Sequence, residues 1–593
     1  MFAAIFDTAG GPVDRQRLGL DQGGPCNVKE VAANVVLLTA PEMAATAETF
    51  LELSAAGGMV GRLRLDRRGD LQARLGLSGA PSDVGLAIAA QQRWGDTCPE
   101  HLEGDFSFVA FDGSCGELLA ARDRMGVRAL FHTNVGSVWL IGDSLDWLAR
   151  QRSALGAGDE LDDFWIGDFL TCGFSREFDR TVWRDIRRLP PAHCLRLGRS
   201  GATQRRYWRL DIGEPLFLRH RAEYGERFRA VVREAIADRL PPGKVGISMS
   251  GGLDSTTLAA LAAETAGEPS RVVAECNHFE RLMTIGEDRY ARLAARHIGI
   301  ELTIRPIDDS VYDARWRDRG IQSDEPTTML LDAHYLRIAG REKAARAAVW
   351  FEGEGPDNAL AFERAPYLAW LKRRRSWLRL GGAWLQYAAV KGATGWRQSL
   401  QRHLLPRSPD MGRPSLPDWL NRDFVETLNL KQRIETLGIG GDPSHPWHPE
   451  AMSIFTSPAW QHYLGEFDFQ DSLAPTLHRD PYLDTRVLEF MLSVPPIPWG
   501  WKKHLVREAM RGRLPGEVLA REKTPLTLYP DVAVAKRVGM APLSAPDLVR
   551  PYVDLARLPT LDAPETLAAG VFAVHALDHW MASRAGSLRP PAN

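Results

Sequence analysis

No run of about 18 consecutive apolar residues occurs in the 593-residue sequence, which excludes a conventional transmembrane helix. The N-terminus lacks the basic start of a secretion signal, so a cytoplasmic protein with no integral membrane segment is expected. The six cysteines (Cys26, Cys98, Cys115, Cys172, Cys194, Cys276) include no C-x-x-C pair, and no histidine cluster has zinc spacing. A disulfide frame and a zinc site are not expected; reduced thiols are. Neither sign of charge is in excess: the net charge is −2, so nothing draws the whole chain toward nucleic acid or an acidic membrane face. The G-x-x-x-x-G-K-S/T phosphate loop is missing, as are internal repeats and long low-complexity tracts.

The sequence has 44% hydrophobic and 25% charged residues, as in ordinary globular proteins, and its length calls for two or more cores. The first third reads as β-rich, with runs such as Val35–Leu38 and Val138–Ile141 set between Gly, Asp and Asn turns. Farther on, strand and helix patterns alternate. A helical pattern over Glu223–Leu240 leads to a strand at Val245. Val272–Glu275 precedes a helix from Glu287 to His297, and a third strand covers Ala347–Phe351. Such alternation predicts a parallel sheet with ligands at the C-terminal strand ends.

The most informative stretch follows the first of these strands: Ser248-Met249-Ser250-Gly251-Gly252-Leu253-Asp254-Ser255. Two glycines let backbone N–H groups approach a ligand, and a helix N-terminus behind them favours an anion such as pyrophosphate. The serines add hydroxyl donors, and Asp254 adds a carboxylate able to hold Mg²⁺ against phosphate oxygens. The third strand ends in Glu352-Gly353-Glu354-Gly355-Pro356-Asp357-Asn358, which sets carboxylates beside backbone open to a nucleotide. The S-G-G-x-D-S order resembles the pyrophosphate loop of ATP pyrophosphatases, which split ATP between its α- and β-phosphates and adenylate a substrate.

Other segments extend the resemblance to the asparagine synthetase family. Leu102-Glu103-Gly104-Asp105-Phe106-Ser107-Phe108 and Ala121-Arg122-Asp123-Arg124-Met125-Gly126 resemble its glutaminase domain, and Arg188–His193 with Tyr207-Trp208 resemble the segment closing that domain. Glu287 and Tyr290, the Pro481-Tyr482-Leu483-Asp484 turn, Lys503–Ala509 and Leu514–Lys523 resemble elements of the synthetase half. The resemblance implies two domains: an Ntn-type αββα glutaminase-like domain over 1–212, and an α/β ATP-pyrophosphatase domain (adenine nucleotide α-hydrolase-like) with a parallel sheet and helical additions over 213–593. It also implies ATP and Mg²⁺. Ser248 to Ser255 and Gly353 would bind nucleotide, and Asp254 and Asp357 would share the metal. Lys523 would lie over the α-phosphate, with Lys503 as a second phosphate contact and Glu354 in the catalytic set. Asn358 stands where the family has a glutamate.

Glutaminases of this class use an N-terminal cysteine whose own α-amine acts as base. Here Phe2, Ala3 and Ala4 precede any nucleophile, and the glutamine-gripping asparagine signature is missing around Leu63–Leu77. The N-terminal domain is expected to be a silent scaffold, with the amine coming from the substrate. Among the branches of the family, the length, Glu354 and a Trp/Arg-rich insertion are most similar to the lasso-peptide macrolactam synthetases (cyclases). These join an Asp or Glu side chain of a leaderless core peptide to its N-terminal amine, beside a leader peptidase and a leader-recognition protein. β-Lactam synthetases, which carry tyrosine at the position of Glu354, and an ammonia-dependent asparagine synthetase are the alternatives. A peptide α-amine with a pKa of roughly 7.7–8.0 is already partly free base near neutrality, so strong base assistance is not required. A nucleotide-sensing module would not need paired metal carboxylates beneath a lysine, and a thiolase would need a nucleic-acid domain or a redox cysteine pair. The insertion, Ala365 to about Leu405, holds Trp370, Trp377, Trp384 and Trp396 with Lys372–Arg375. It is either an amphipathic helical pair with inward tryptophans or a surface for a peptide, a partner or an anionic face.

Overall fold

The computed structural model describes residues 1–20, 26–40, 48–54, 57–158, 160–283, 286–332, 347–389, 416–438, 441–473, 476–522 and 529–585. Alternating side chains in the first third build two stacked six-stranded antiparallel sheets. In one, Phe2–Asp7 pairs with Val35–Thr39 and Val138–Gly142; in the other, Gly104–Asp112 pairs with Gly57–Leu65 and Glu117–Arg122. Phe2, Ala4 and Phe6 point between the sheets, where they meet Val60, Val109, Phe111 and Leu118. Ala3 and Ile5 point the other way, into a helical layer that includes Leu145–Ala154 and Asp163–Cys172. The outer face of the second sheet is covered by Arg68–Leu75 and Asp83–Trp94. Helix, sheet, sheet and helix thus stack in four layers. Three of these four helices start at a side-chain cap: Ser82, Ser144 and Asp162 accept hydrogen bonds from Gly85, Trp147 and Trp165 N–H groups.

The second core surrounds a five-stranded parallel sheet in the order Glu301–Pro306, Val272–His278, Val245–Ser248, Val349–Phe351, Leu477–Arg479. Arg221–Arg239, Leu253–Ala266 and Glu287–Ile298 pack around it. The chain runs outward from the central strand in one direction and then returns to its other side. This leaves a crevice at the C-terminal ends of Val245–Ser248 and Val349–Phe351, the place where ligands bind in open α/β sheets. The strand at Leu477 was not in the sequence reading. Its three residues carry no hydrophobic run, and it is recruited by pairing with Val349–Phe351 from far along the chain. No helix among the described residues is long and apolar enough to cross a membrane.

Candidate active site

The central strand delivers Ser248 to the crevice, and Gly251 turns the chain into the helix. Gly251 has φ +68°, and a Cβ there would lie 2.4 Å from the Glu287 carbonyl oxygen and 2.7 Å from the Ala291 nitrogen. Only glycine lets the loop lie this close to the neighbouring helix start. Met249 is buried, and its N–H donates to the Glu275 carbonyl at 2.8 Å. Leu253 anchors the first helical turn in the core. The cap residue, Gly252, contributes no side-chain acceptor to that turn, so its N–H groups face the crevice without a cap. The Ser250 and Ser255 hydroxyls lie 3.4 Å apart beside them. Gly353 closes the other wall: a Cβ there would touch Ser255 Cα at 3.3 Å.

The two acidic loops converge on one cation. Lys503 Nζ pairs with Asp254 Oδ2 and lies 2.7 Å from Asp357 Oδ1. Lys503 sits in a left-handed turn (φ +54°) just before the helix His504–Ala509, which turns its side chain back over the loop. Burial works against its charged form, but Asp254 and Asp357 outweigh burial and raise its pKa above the ordinary lysine value. Tyr482 fixes the Asp254 backbone by donating its hydroxyl to the Asp254 carbonyl at 3.0 Å. Two carboxylates that meet around a single ammonium are also spaced to share a divalent cation, a fit resting on hard oxygen donors. A second acidic group, Asp66, Asp238 and Asp484, is already neutralised by Arg239 and Arg486.

Three neighbours were not singled out from the sequence. Arg521 donates to the Ser250 carbonyl at 3.3 Å, lies 3.5 Å from Glu287 and stacks over Tyr290, so it ties the loop to the adjacent helix. Its signal was its place two residues before Lys523 in a motif already noted. Glu352 accepts the Ser248 hydroxyl at 2.6 Å, and His478 Nε2 lies 3.9 Å from it. His478 Nδ1 in turn pairs with Asp471 at 2.8 Å. No local pattern marks these contacts, because the residues come from three separate segments, and the 3.9 Å between His478 and Glu352 exceeds a hydrogen bond. Glu354 is exposed at the rim. Burial, followed by the charges of Glu352 and Glu354, raises the Asp480 pKa well above the carboxylate range, so this end of the sheet is an acidic recess. Lys523 lies outside the described residues.

An asparagine synthase family model matches residues 227–538, and a glutamine amidotransferase domain model matches 68–208. The glutamine-hydrolyzing asparagine synthetase 3 of Bacillus subtilis is 23% identical over 489 residues, covering 78% of this chain and 73% of its own length. The amidase chyE of Penicillium rubens is 26% identical over 465 residues, covering 70% and 66%. The amidase chry2 of Gibberella zeae is 23% identical over 511 residues, covering 77% and 75%.

Proposed function

Because the chain belongs to the asparagine synthase family, whose members are ATP-dependent amide-forming ligases, we propose that its parallel-sheet site builds a macrolactam on a leaderless peptide. The convergence of Lys503, Asp254 and Asp357 above the glycine loop supports the adenylating part of this reading. The loop amides from Ser250 to Ser255 and the Ser250 and Ser255 hydroxyls hold the β- and γ-phosphates, while Ser248 donates its hydroxyl to Glu352 behind them. Asp254 and Asp357 would hold Mg²⁺, which supplies charge neutralisation on the phosphate oxygens. An Asp or Glu side-chain carboxylate of the peptide attacks the α-phosphorus, and the bond to pyrophosphate breaks. Lys503 and Lys523 offset the negative charge that builds there, an effect strengthened in a site that excludes water. The peptide's N-terminal amine, as free base, then attacks the acyl carbon, an isopeptide bond forms, AMP leaves with the electron pair, and the amine's surplus proton passes to solvent. Holding both ends of one peptide makes that step nearly unimolecular.

The N-terminal sandwich, proposed as 1–212 with the ligase half as 213–593, supports an amine supplied by the substrate. Its strand Phe2–Asp7 is buried, and the Phe2 N–H donates to Asp143 at 2.7 Å. Burial pushes up the thiols of Cys98 and Cys194. A leader peptidase and a leader-recognition protein are proposed partners, and a cytoplasmic location is proposed with them.

The test is pyrophosphate exchange into ATP. Peptides with an N-terminal glycine and an acidic residue several positions on are expected to stimulate exchange, and free aspartate is not. Asp254→Asn should reduce exchange by roughly a hundredfold or more. Stimulation by aspartate would assign the chain to asparagine synthesis instead, and silence with both would remove the peptide proposal.

A further inference from the structure

The Trp/Arg-rich insertion is not used by the chemistry above, and its described part divides its side chains unusually. Arg364–Arg373 is a helix, Arg375 (φ +53°) makes a turn, and a second helix runs over 377–389. One side of that second helix is committed to the body of the protein. Ala383 and Tyr387 are buried, with Tyr387 stacked on Phe362 at 5.8 Å and edge-on to Trp501 at 6.3 Å. Another side carries Trp377, Leu378, Trp384 and Leu385, exposed by 60%, 94%, 45% and 74%. Positions i, i+1, i+7 and i+8 form one stripe on a helix. Of the ten large hydrophobics exposed among the described residues, four fall within these nine positions, so the stripe is not ordinary surface scatter.

Charge selects what covers it. Residues 364–389 contain Arg364, Lys372, Arg373, Arg374, Arg375 and Arg379 and no acidic residue, in a chain whose net charge is −2. Lys372 to Arg375 are all exposed at the turn that opens the striped helix. Arg374 pairs with Glu214, Arg379 stacks on Phe217 and Arg373 donates to the Pro446 carbonyl at 3.0 Å, while Lys372 and Arg375 are exposed at the turn. Trp and Arg are also enriched in protein–protein interfaces, so it is the unbroken positive charge along this segment that favours an anionic surface. A helix with Trp and Leu on one face and Lys/Arg beside it matches the headgroup boundary of an anionic bilayer.

We propose that this helical hairpin is a peripheral docking surface for an anionic lipid bilayer. The tryptophans and leucines enter the headgroup–acyl boundary, and Lys372 and Arg375 lie on lipid phosphates. The buried side of the same helix rests against Trp501, two residues before Lys503, so docking would place the ligase crevice close to the bilayer. The surface itself is independent of which acyl acceptor the site takes.

The test is flotation of the full chain with phosphatidylcholine vesicles, with and without about 30% phosphatidylglycerol. Binding only to the anionic vesicles, with release in about 0.5 M salt, is expected. The pair Leu378→Glu/Leu385→Glu and the pair Lys372→Glu/Arg375→Glu should each lower partitioning at least tenfold. The replaced side chains are all exposed, and circular dichroism checks that both variants fold. Arg199→Glu/Arg422→Glu, matched in charge but placed elsewhere, should bind as the parent does. Equal binding to neutral vesicles, no binding to either kind, or unchanged binding by both pairs overturns the proposal. A dimer in sedimentation that Leu378→Glu/Leu385→Glu dissociates, without lipid binding, would assign the face to a second copy and also overturn it.

Discussion

The carboxylate of Glu363 is buried beside His448, and each disfavours its charged form. Burial raises Glu363 from its ordinary 4.5 to about 7, although it accepts the Glu450 and Ala451 N–H groups at 2.8 and 2.9 Å. Burial also lowers His448 from 6.5 to about 4, with its ring nitrogens 3.2 and 3.3 Å from the Leu492 and Ala361 carbonyls. The two act on stability in opposite directions. The Glu363 contribution is fully present below 4.5 and is lost as pH rises through about 7. The His448 contribution is present above 6.5 and is lost as pH falls toward 4. Glu363→Gln should therefore remove a loss of about 1 kcal/mol per pH unit between pH 4.5 and 7. His448→Gln should flatten the opposite slope between pH 6.5 and 4. Urea midpoints at pH 5, 6, 7 and 8 read both, and unchanged slopes in the two variants would defeat the argument. At this scale the sequence exposed Asp254 and Asp357 because both sit in short glycine-bounded motifs. Lys503, expected as a second phosphate contact, lies between those two carboxylates beside the glycine loop. Glu363, Glu352 and His478 were not legible, since their partners come from segments that no periodicity links.

The element that sets the site is the strand, glycine loop and helix from Val245 to Ala266, and its glycines are fixed by neighbours rather than by the ligand. A Cβ on Gly246 would lie 2.3 Å from the Trp350 ring, and one on Gly251 would strike the backbone of Glu287 and Ala291. Gly246→Ala is an overpacking change, expected to cost about 1–3 kcal/mol while leaving the loop's own conformation available. Gly251→Ala adds a left-handed backbone to a backbone clash, so the loop must move away from Glu287 and Tyr290. Gly246→Ala should lower the urea midpoint more than the Michaelis constant for ATP changes. Gly251→Ala should lower pyrophosphate exchange by an order of magnitude or more even at temperatures where it stays folded. Equal effects of the two substitutions on exchange would remove the distinction. The sequence predicted this element and the helix at Glu287 because strand runs, glycines and helix starts are all local signals. The helix at Arg221 begins two residues earlier than read, and the third strand begins at Val349 rather than Ala347. The tryptophans of the insertion follow neither alternative as a group: Trp370 is buried, Trp377 and Trp384 are exposed, and Trp396 lies outside the described residues.

On the scale of the molecule, the N-terminal sandwich and the parallel sheet are joined by charge buried between them. Arg128, 2% exposed, pairs with Glu48 and Asp468 and lies 3.7 Å from Asp471. Arg479, from the edge of the parallel sheet, reaches Glu48 at 2.9 Å, and Arg62 reaches Asp468 at 2.7 Å. Burial alone would raise the Glu48 carboxyl, but Arg128, Arg479, Arg62 and Arg64 overcome it and hold the pKa at about 2. The C-terminal segments add an apolar tie, with Phe572, Leu577 and Trp580 in one core with Ala3 and Ile5. None of this was readable from the sequence, because membership of one core by segments as far apart as Ala3 and Phe572 leaves no periodic trace in either. Replacing a buried ion pair with apolar groups can be neutral, whereas removing one partner strands the others in low dielectric. Arg128→Met removes the cation that Glu48 and Asp468 share and leaves each with a single pairing arginine, Arg479 and Arg62, in a buried site, a loss of about 3–5 kcal/mol. The parent should unfold in one calorimetric transition that includes both cores, since neither can separate without exposing this network. Arg128→Met should split that transition in two. The double variant Arg128→Met/Glu48→Gln should recover part of the loss by restoring the parent's balance of buried charge, and a single unsplit transition in Arg128→Met would show that the apolar tie alone joins the halves.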